Sequence, residues 1–162
     1  MPAIFVDGDI LDQNVDYIAH QTNCISAGSS GLARAIFDKY PESNLYQERA
    51  SGNYFHKPGH IYLRKTSGPT IINMMAQFAP GITPFNVKLS DIQFTETSEL
   101  RMVWFLSCLD KMCLLNGSSI AFPYKIGCGL AGGNWDSYKK AIDDFADSCG
   151  KIVFIVKRPG DV

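Results

Sequence analysis

Hydrophobic and polar positions along the chain follow two rhythms. Short apolar runs stopped by turn residues read as strands, and stretches with apolar residues three and four apart read as helices. Ala3 to Val6 is a β-prone run stopped by Asp7-Gly8-Asp9, and Asp16 to His20 is a second buried strand ended by Gln21-Thr22-Asn23. The small, flexible stretch Ile25 to Gly31 feeds a helical pattern over Leu32 to Phe37, which stops before Pro41. Ser43 to Ala50 predicts a further short helix. Strands over His60 to Arg64 and Thr70 to Met75 flank the turn signal Gly68-Pro69. The longest helical pattern covers Glu99 to Leu115 and closes at Asn116-Gly117. Ser119 to Phe122 is another strand, and Asn134 is suited to cap a helix over Trp135 to Ala146, with Asp136 in its first turn. Lys151 to Val156 is a last apolar strand. Between Pro80 and Thr97 no period is evident, and so long an irregular stretch reads as a functional loop, a lid or a specificity element.

Strands alternating with helices imply an α/β domain whose mostly parallel sheet is covered on both faces. A length of 162 residues is that of one domain, 1–162. The chain is 46% hydrophobic and 19% charged, an ordinary globular composition that needs no metal or disulfide staple. Lys and Arg total 15 against 16 acidic residues. That balance argues against binding to duplex nucleic acid by phosphate neutralisation, yet leaves room for a small anion held by backbone amides. The five cysteines are Cys24, Cys108, Cys113, Cys128 and Cys149. They show no zinc-type spacing and mostly sit in apolar segments, which reads as structural thiols in a reducing, intracellular setting. No apolar run reaches the ~20 residues of a membrane span, and the first residues do not resemble a signal peptide. His56 and His60 flank Pro58-Gly59 without a third ligand, so no metal or other cofactor is expected. The expected state is a monomer.

Two glycine-rich loops each link a strand to a helix, Ala27 to Gly31 and Gly127 to Gly133. In open α/β sheets ligands bind outside the strand C-termini. Glycines there let successive amides converge on an anion, and the following helix adds its dipole. Neither loop matches the P-loop or the dinucleotide fingerprint, which disfavours kinases, P-loop ATPases and ordinary dehydrogenases. A nucleotide diphosphate held without a P-loop lysine remains.

Several segments together resemble the macro domains that bind ADP-ribose. They are Gly8-Asp9-Ile10, His20-Gln21-Thr22-Asn23-Cys24, the run Ser29 to Ile36, Tyr40-Pro41, Pro58-Gly59, Ile71-Ile72-Asn73 and, most specific, Phe122 to Trp135. The last resembles the branch that contains terminal ADP-ribose protein glycohydrolase, the DNA-de-ADP-ribosylating antitoxins and the yeast-type ADP-ribose 1''-phosphate phosphatase. The resemblance implies a three-layer α/β/α fold with a mixed sheet. It implies that Asp9 accepts a hydrogen bond from the adenine amino group, with a backbone contact from Ile10, and that Asn23 bonds the distal ribose. Gly28, Ser29, Ser30, Gly31 and Leu32 would wrap the phosphates from one side. Lys125, Ile126, Gly127, Cys128, Gly129, Leu130 and Ala131 would do so from the other, with Lys157 against the adenine or its ribose.

The sequence departs from that pattern in three places. Ser29-Ser30 replace glycines, Ala131 stands where the glycohydrolases carry an aspartate, and the strand region offers Arg64 or Gln77 where they carry a lysine. A lysine–aspartate mechanism is therefore not expected. His20 is the remaining acid/base candidate, alongside Asn23, through the resemblance of the His-x-x-Asn segment to the phosphatase. Its alternative is a strand-end histidine satisfying a backbone carbonyl. The function implied is binding of ADP-ribose, or of an ADP-ribosylated macromolecule, with hydrolysis of an ADP-ribose derivative. The alternative is a recognition module that does not catalyse.

Overall fold

The structure is a computed structural model and describes residues 1–52, 56–129 and 131–161. Among the described residues, eight strands and four helices follow in the order β1 (Ile4–Asp7), β2 (Tyr17–Asn23), α1 (Gly31–Lys39), α2 (Leu45–Gly52), β3 (Ile61–Arg64), β4 (Thr70–Gln77), β5 (Phe85–Leu89), β6 (Ile92–Glu96), α3 (Ser98–Met112), β7 (Ser119–Pro123), α4 (Trp135–Cys149) and β8 (Ile152–Lys157). Short 3-10 turns cover Ile10–Asp12 and Pro41–Ser43.

Six strands form one sheet in the order β1-β8-β7-β2-β4-β3, parallel throughout except for β3, which runs antiparallel to β4. This is the mixed, mostly parallel sheet that the alternation of patterns predicts. Its central strands carry apolar residues on both faces because both faces are covered. Ala19, Ile72, Met74, Ile120, Phe122 and Ile155 pack against Phe105 and Met112 of α3 and Ile142 and Phe145 of α4. Ile18, Ile71, Ala121 and Val156 point the other way, to Ile36 and Phe37 of α1 and Tyr46 of α2.

Helix starts follow the side-chain chemistry. Thr97 accepts a hydrogen bond from the Leu100 amide (3.1 Å) at the head of α3, and Asn134 accepts one from Ser137 (3.3 Å) at the head of α4. Gly150 takes the left-handed conformation that closes α4.

Two expectations change. The stretch from Pro80 to Thr97 is no irregular loop, for it contains the antiparallel hairpin β5–β6. Phe85, Val87 and Leu89 alternate, the turn passes through Ser90 in the left-handed region, and Val87 and Phe94 close over Phe78, Leu45 and Trp104. Trp104, partly buried, packs against this third cluster. The cysteines also differ from a set of free thiols. Cys113 and Cys149 form a disulfide that joins the C-terminal ends of α3 and α4, while Cys24, Cys108 and Cys128 are free. The two partners are 36 residues apart in sequence, so no spacing motif announces them.

Closing a loop of that length removes denatured-state entropy worth about 4 kcal/mol in the chain-entropy view. Cys113→Ser, or full reduction, is expected to lower the thermal midpoint by several degrees. Calorimetry of the oxidised protein, the reduced protein and the variant checks this; equal midpoints would contradict it.

Candidate functional site

Parallel pairing sets every relevant strand end on one edge of the sheet. Along that edge lie Asp9 beyond β1, Lys157 at the end of β8, the Lys125–Ala131 loop beyond β7, Asn23 and the Gly28–Leu32 loop beyond β2, and Gln77 at the end of β4. Because β7 and β2 are parallel neighbours, the two glycine loops stand side by side.

The loop after β2 enters α1 through Ser30, whose side chain makes no capping hydrogen bond. The first-turn amides of α1 therefore lack the side-chain acceptor that α3 and α4 possess, and they point outward with the positive end of the dipole. Gly31 adopts the left-handed conformation (φ +57°) and, like Gly28, has open space where a Cβ would stand. The loop root is fixed from below. The Asn23 carboxamide oxygen accepts from the amides of Ile25 (3.1 Å) and Ser26 (2.8 Å), and the buried Arg49 guanidinium donates to the Ser26 carbonyl (2.8 Å).

The loop after β7 is a chain of tight turns. Cys128 donates to the Lys125 carbonyl (2.9 Å), and Gly133 donates to that of Gly127 (2.9 Å). Among the described residues this leaves the amides of Gly127 and Gly129 without a backbone acceptor. Gly127 has φ +76°, and a Cβ there would fall 2.7 Å from the Tyr138 ring; at Gly133 it would fall 2.5 Å from the Gly127 carbonyl oxygen. Only glycine fits either place. Leu130 lies outside the described residues. Ala131 is held through its carbonyl, which accepts from Arg101 (3.2 Å).

Arg101 and Glu96 are functional residues that sequence reasoning missed. The pair is buried, at 2% and 0% exposure, with Nε 2.6 Å from the carboxylate. Arg101 also donates to the carbonyls of Gly81 (2.6 Å) and Ala79 (3.0 Å), while the Glu96 carboxylate accepts from the amides of Phe78 (3.0 Å) and Ala79 (2.9 Å). One ion pair thus ties the end of β4, the segment after it and the β7 loop. A signal was present: an acidic residue just before the Thr97 cap and an arginine on the inner face of the first turn of α3.

At the other end of the edge, Asp9 is exposed and caps the 3-10 turn, one carboxylate oxygen accepting from the Leu11 amide (2.9 Å). It lines an open depression of about 570 Å³ with Gly8, Arg158, Pro159, Gly160 and Asp161, while Ile10 behind it is buried. The Lys157 ammonium does not point into that depression; it lies over the Tyr124 ring, 5.0 Å from the centroid.

The two candidate catalytic side chains, His20 and Asn23, are both buried. His20 is 1% exposed, packed edge-on against Phe37 and hydrogen-bonded through Nε2 to the Asn73 carboxamide oxygen (2.7 Å). Asn73 gives its NH2 to the carbonyls of Ser43 (3.4 Å) and Tyr62 (3.3 Å), so its oxygen is the acceptor and His20 Nε2 carries the proton. Burial lowers the His20 pKa to about 4 against the opposing Asn73 bond, and Nδ1 has no partner. A general base must reach its substrate, and this ring faces α1 instead. Asn23 is 6% exposed, its oxygen accepts from the loop amides, and Nδ2 is bonded to the Tyr46 hydroxyl (3.2 Å). Gln77, one of the two residues considered at the lysine position, accepts from Gln21 (2.8 Å) and donates to the Ala79 carbonyl (3.0 Å). Burial pushes the Cys128 thiol up to about 11, so it is no nucleophile at neutral pH.

No family model and no curated protein matches this sequence. Solved structures do match. The macrodomain of Mycobacterium tuberculosis DarG superposes with a TM-score of 0.67 at 19% identity over 98% of each chain. That of Thermus aquaticus DarG gives 0.68 at 17% identity, over 97% of this chain and 98% of the other. Thermosipho africanus DarTG in complex with ADP-ribose gives 0.68 at 16% identity, over 98% of this chain and 43% of that one. The crossover order and the paired loops therefore define a macrodomain fold.

Two outcomes follow from this geometry. Glu96→Ala strands the Arg101 charge in the interior and is expected to cost about 3–5 kcal/mol, read by urea denaturation; a loss under 1 kcal/mol would contradict the tie. His20 binds its proton less well folded than unfolded, so its contribution is complete above pH 6.5 and lost as pH falls toward about 4. NMR of the imidazole should find it neutral at pH 5.5; a midpoint near 7 would contradict the buried assignment.

Proposed function

We propose that the edge crevice binds the ADP-ribosyl group and that the protein is a recognition module for ADP-ribose or its conjugates. The observation that carries this reading is the pairing of the uncapped start of α1 with the unengaged amides of Gly127 and Gly129 on neighbouring parallel strands. Two facing sets of amides suit a diphosphate, each set stabilising negative charge without a lysine. Asp9 stands on the β1 side, where this reading puts the adenine, and among the described residues its second carboxylate oxygen accepts no hydrogen bond that would compete with an amino group. The likeness to DarTG in complex with ADP-ribose supports the same ligand class.

Recognition is favoured over hydrolysis by the side chains around the crevice. His20 is turned into the core, Ala131 has no acid or base, and Gln77 is locked between Gln21 and Ala79. Asp136 is an exposed first-turn residue of α4, where its position at the positive helix end accounts for it. Backbone amides bind a ground state well but move no proton. A positioned acid or base supplies a factor of about 10²–10⁴, and among the described residues His20 and Gln77 are engaged in other hydrogen bonds.

Titration calorimetry should show saturable ADP-ribose binding, tighter than AMP, which Asp9→Ala weakens by roughly ten- to a hundredfold through loss of one charge-assisted hydrogen bond. ADP-ribose 1''-phosphate and ADP-ribosylated protein or DNA should remain intact with the protein. No heat with ADP-ribose would remove the reading, and turnover of any substrate would replace recognition by hydrolysis.

A further inference from the structure

The ribose between an adenine at Asp9 and a diphosphate at the β7 loop must cross the end of β8, because β8 lies between β1 and β7. Registers Asp7 with Lys157 and Pro123 with Val156 bring Lys157 level with Tyr124 at that crossing. The Lys157 ammonium is 5.0 Å from the centroid of the Tyr124 ring, and the Lys125 ammonium is 5.5 Å from the same ring. Trp135 (5.3 Å) and Phe5 (6.2 Å) hold that ring edge-on.

Neither ammonium takes part in an ion pair among the described residues. Lys139 offers the contrast: it lies over Phe5 (5.6 Å) but is neutralised by Asp143 at 2.7 Å. Asp7, the register partner of Lys157, is exposed on the β1 side and makes no such pair. Two cations held near one ring repel each other, and a bound anion close to both offsets that repulsion. Lys125 moreover holds a left-handed backbone, φ +60°, which disfavours any side chain. That conformation starts the turn and aims the lysine at the ring.

We propose that Lys125 and Lys157 form a phosphate clamp over Tyr124, and that the preferred ligand is an ADP-ribosyl group bearing a phosphomonoester on its adenosine ribose. This rests on the ADP-ribose reading above. The chemistry selects the position: C1′ of that ribose carries the adenine and C5′ the diphosphate, so the 2′ and 3′ oxygens are the ones left to carry the extra phosphate. A dianionic phosphate beside Tyr124 would meet the two ammonium donors held 5.0 and 5.5 Å from the ring centroid, and no bond is made or broken.

Titration calorimetry at low salt with ADP-ribose and with ADP-ribose 2′-phosphate tests the clamp through the ratio of the two affinities. The ratio expected is about tenfold or more in favour of the phosphorylated ligand, falling as sodium chloride is raised. In the double variant Lys125→Gln/Lys157→Gln it should fall to about one, whatever becomes of ADP-ribose itself. Lys157→Gln alone, which leaves the left-handed position of the loop untouched, should lower it part of the way. ADP-ribose binding with a ratio near one in the parent overturns the clamp and leaves the ADP-ribose reading standing. A preference that survives the double variant or is indifferent to salt overturns it as well. Absence of binding by both ligands overturns both.

Discussion

The buried pair of Glu96 and Arg101 is the constraint on which the arrangement of the crevice depends. Besides bonding each other, the two side chains reach several pieces of chain: the carboxylate accepts from the amides of Phe78 and Ala79, and the guanidinium donates to the carbonyls of Ala79, Gly81 and Ala131. Taking two charges out of water is costly, and an apolar pair of similar size can be as stable. What the ion pair adds is position. It makes the end of β4, the hairpin and the β7 loop one unit, and it does so through directional bonds that an apolar contact lacks.

That rigidity bears on function. Amides bind an anion well when they are already convergent, since little entropy is then lost on binding. The β2 loop is braced likewise, by Asn23 and by Arg49 beneath it, so both walls of the crevice are supported by buried polar groups. The residues that resemble a catalytic set are the ones that do this bracing. Asn23 shapes the loop, Gln77 links β2 to β4, and His20 joins β2 to Asn73 on β4 in the layer beneath α1. Residue types that could run a reaction in an open site here hold β2, β4 and the loop after β2 in place.

Much of the fold was legible in the chain because local chemistry and global structure agree. The strand runs and the caps at Thr97 and Asn134 mean in the structure what they suggest in the sequence. The hairpin was hidden because Phe85 to Leu89 alternates for only five residues between a proline-rich lead and a turn at Ser90 that lacks glycine. The roles of His20 and Asn23 depend on which face of β2 meets α1 and on the register of β2 against β4, neither of which periodicity reveals. Glu96 and Arg101 look like ordinary charged residues near a helix start until the chain folds their surroundings away from water. The Cys113–Cys149 link, made across two helices, has no local signature at all.

Amide chemical-shift mapping of the 15N-labelled protein against ADP-ribose tests the central claim most directly. The account predicts that saturating ligand shifts the amides of Ile10, Gly31, Leu32, Gly127 and Gly129, leaves the His20 and Asn73 signals in place, and that the ligand's own spectrum stays unchanged over days. Shifts confined to other surfaces, or breakdown of the ligand during the titration, would contradict it.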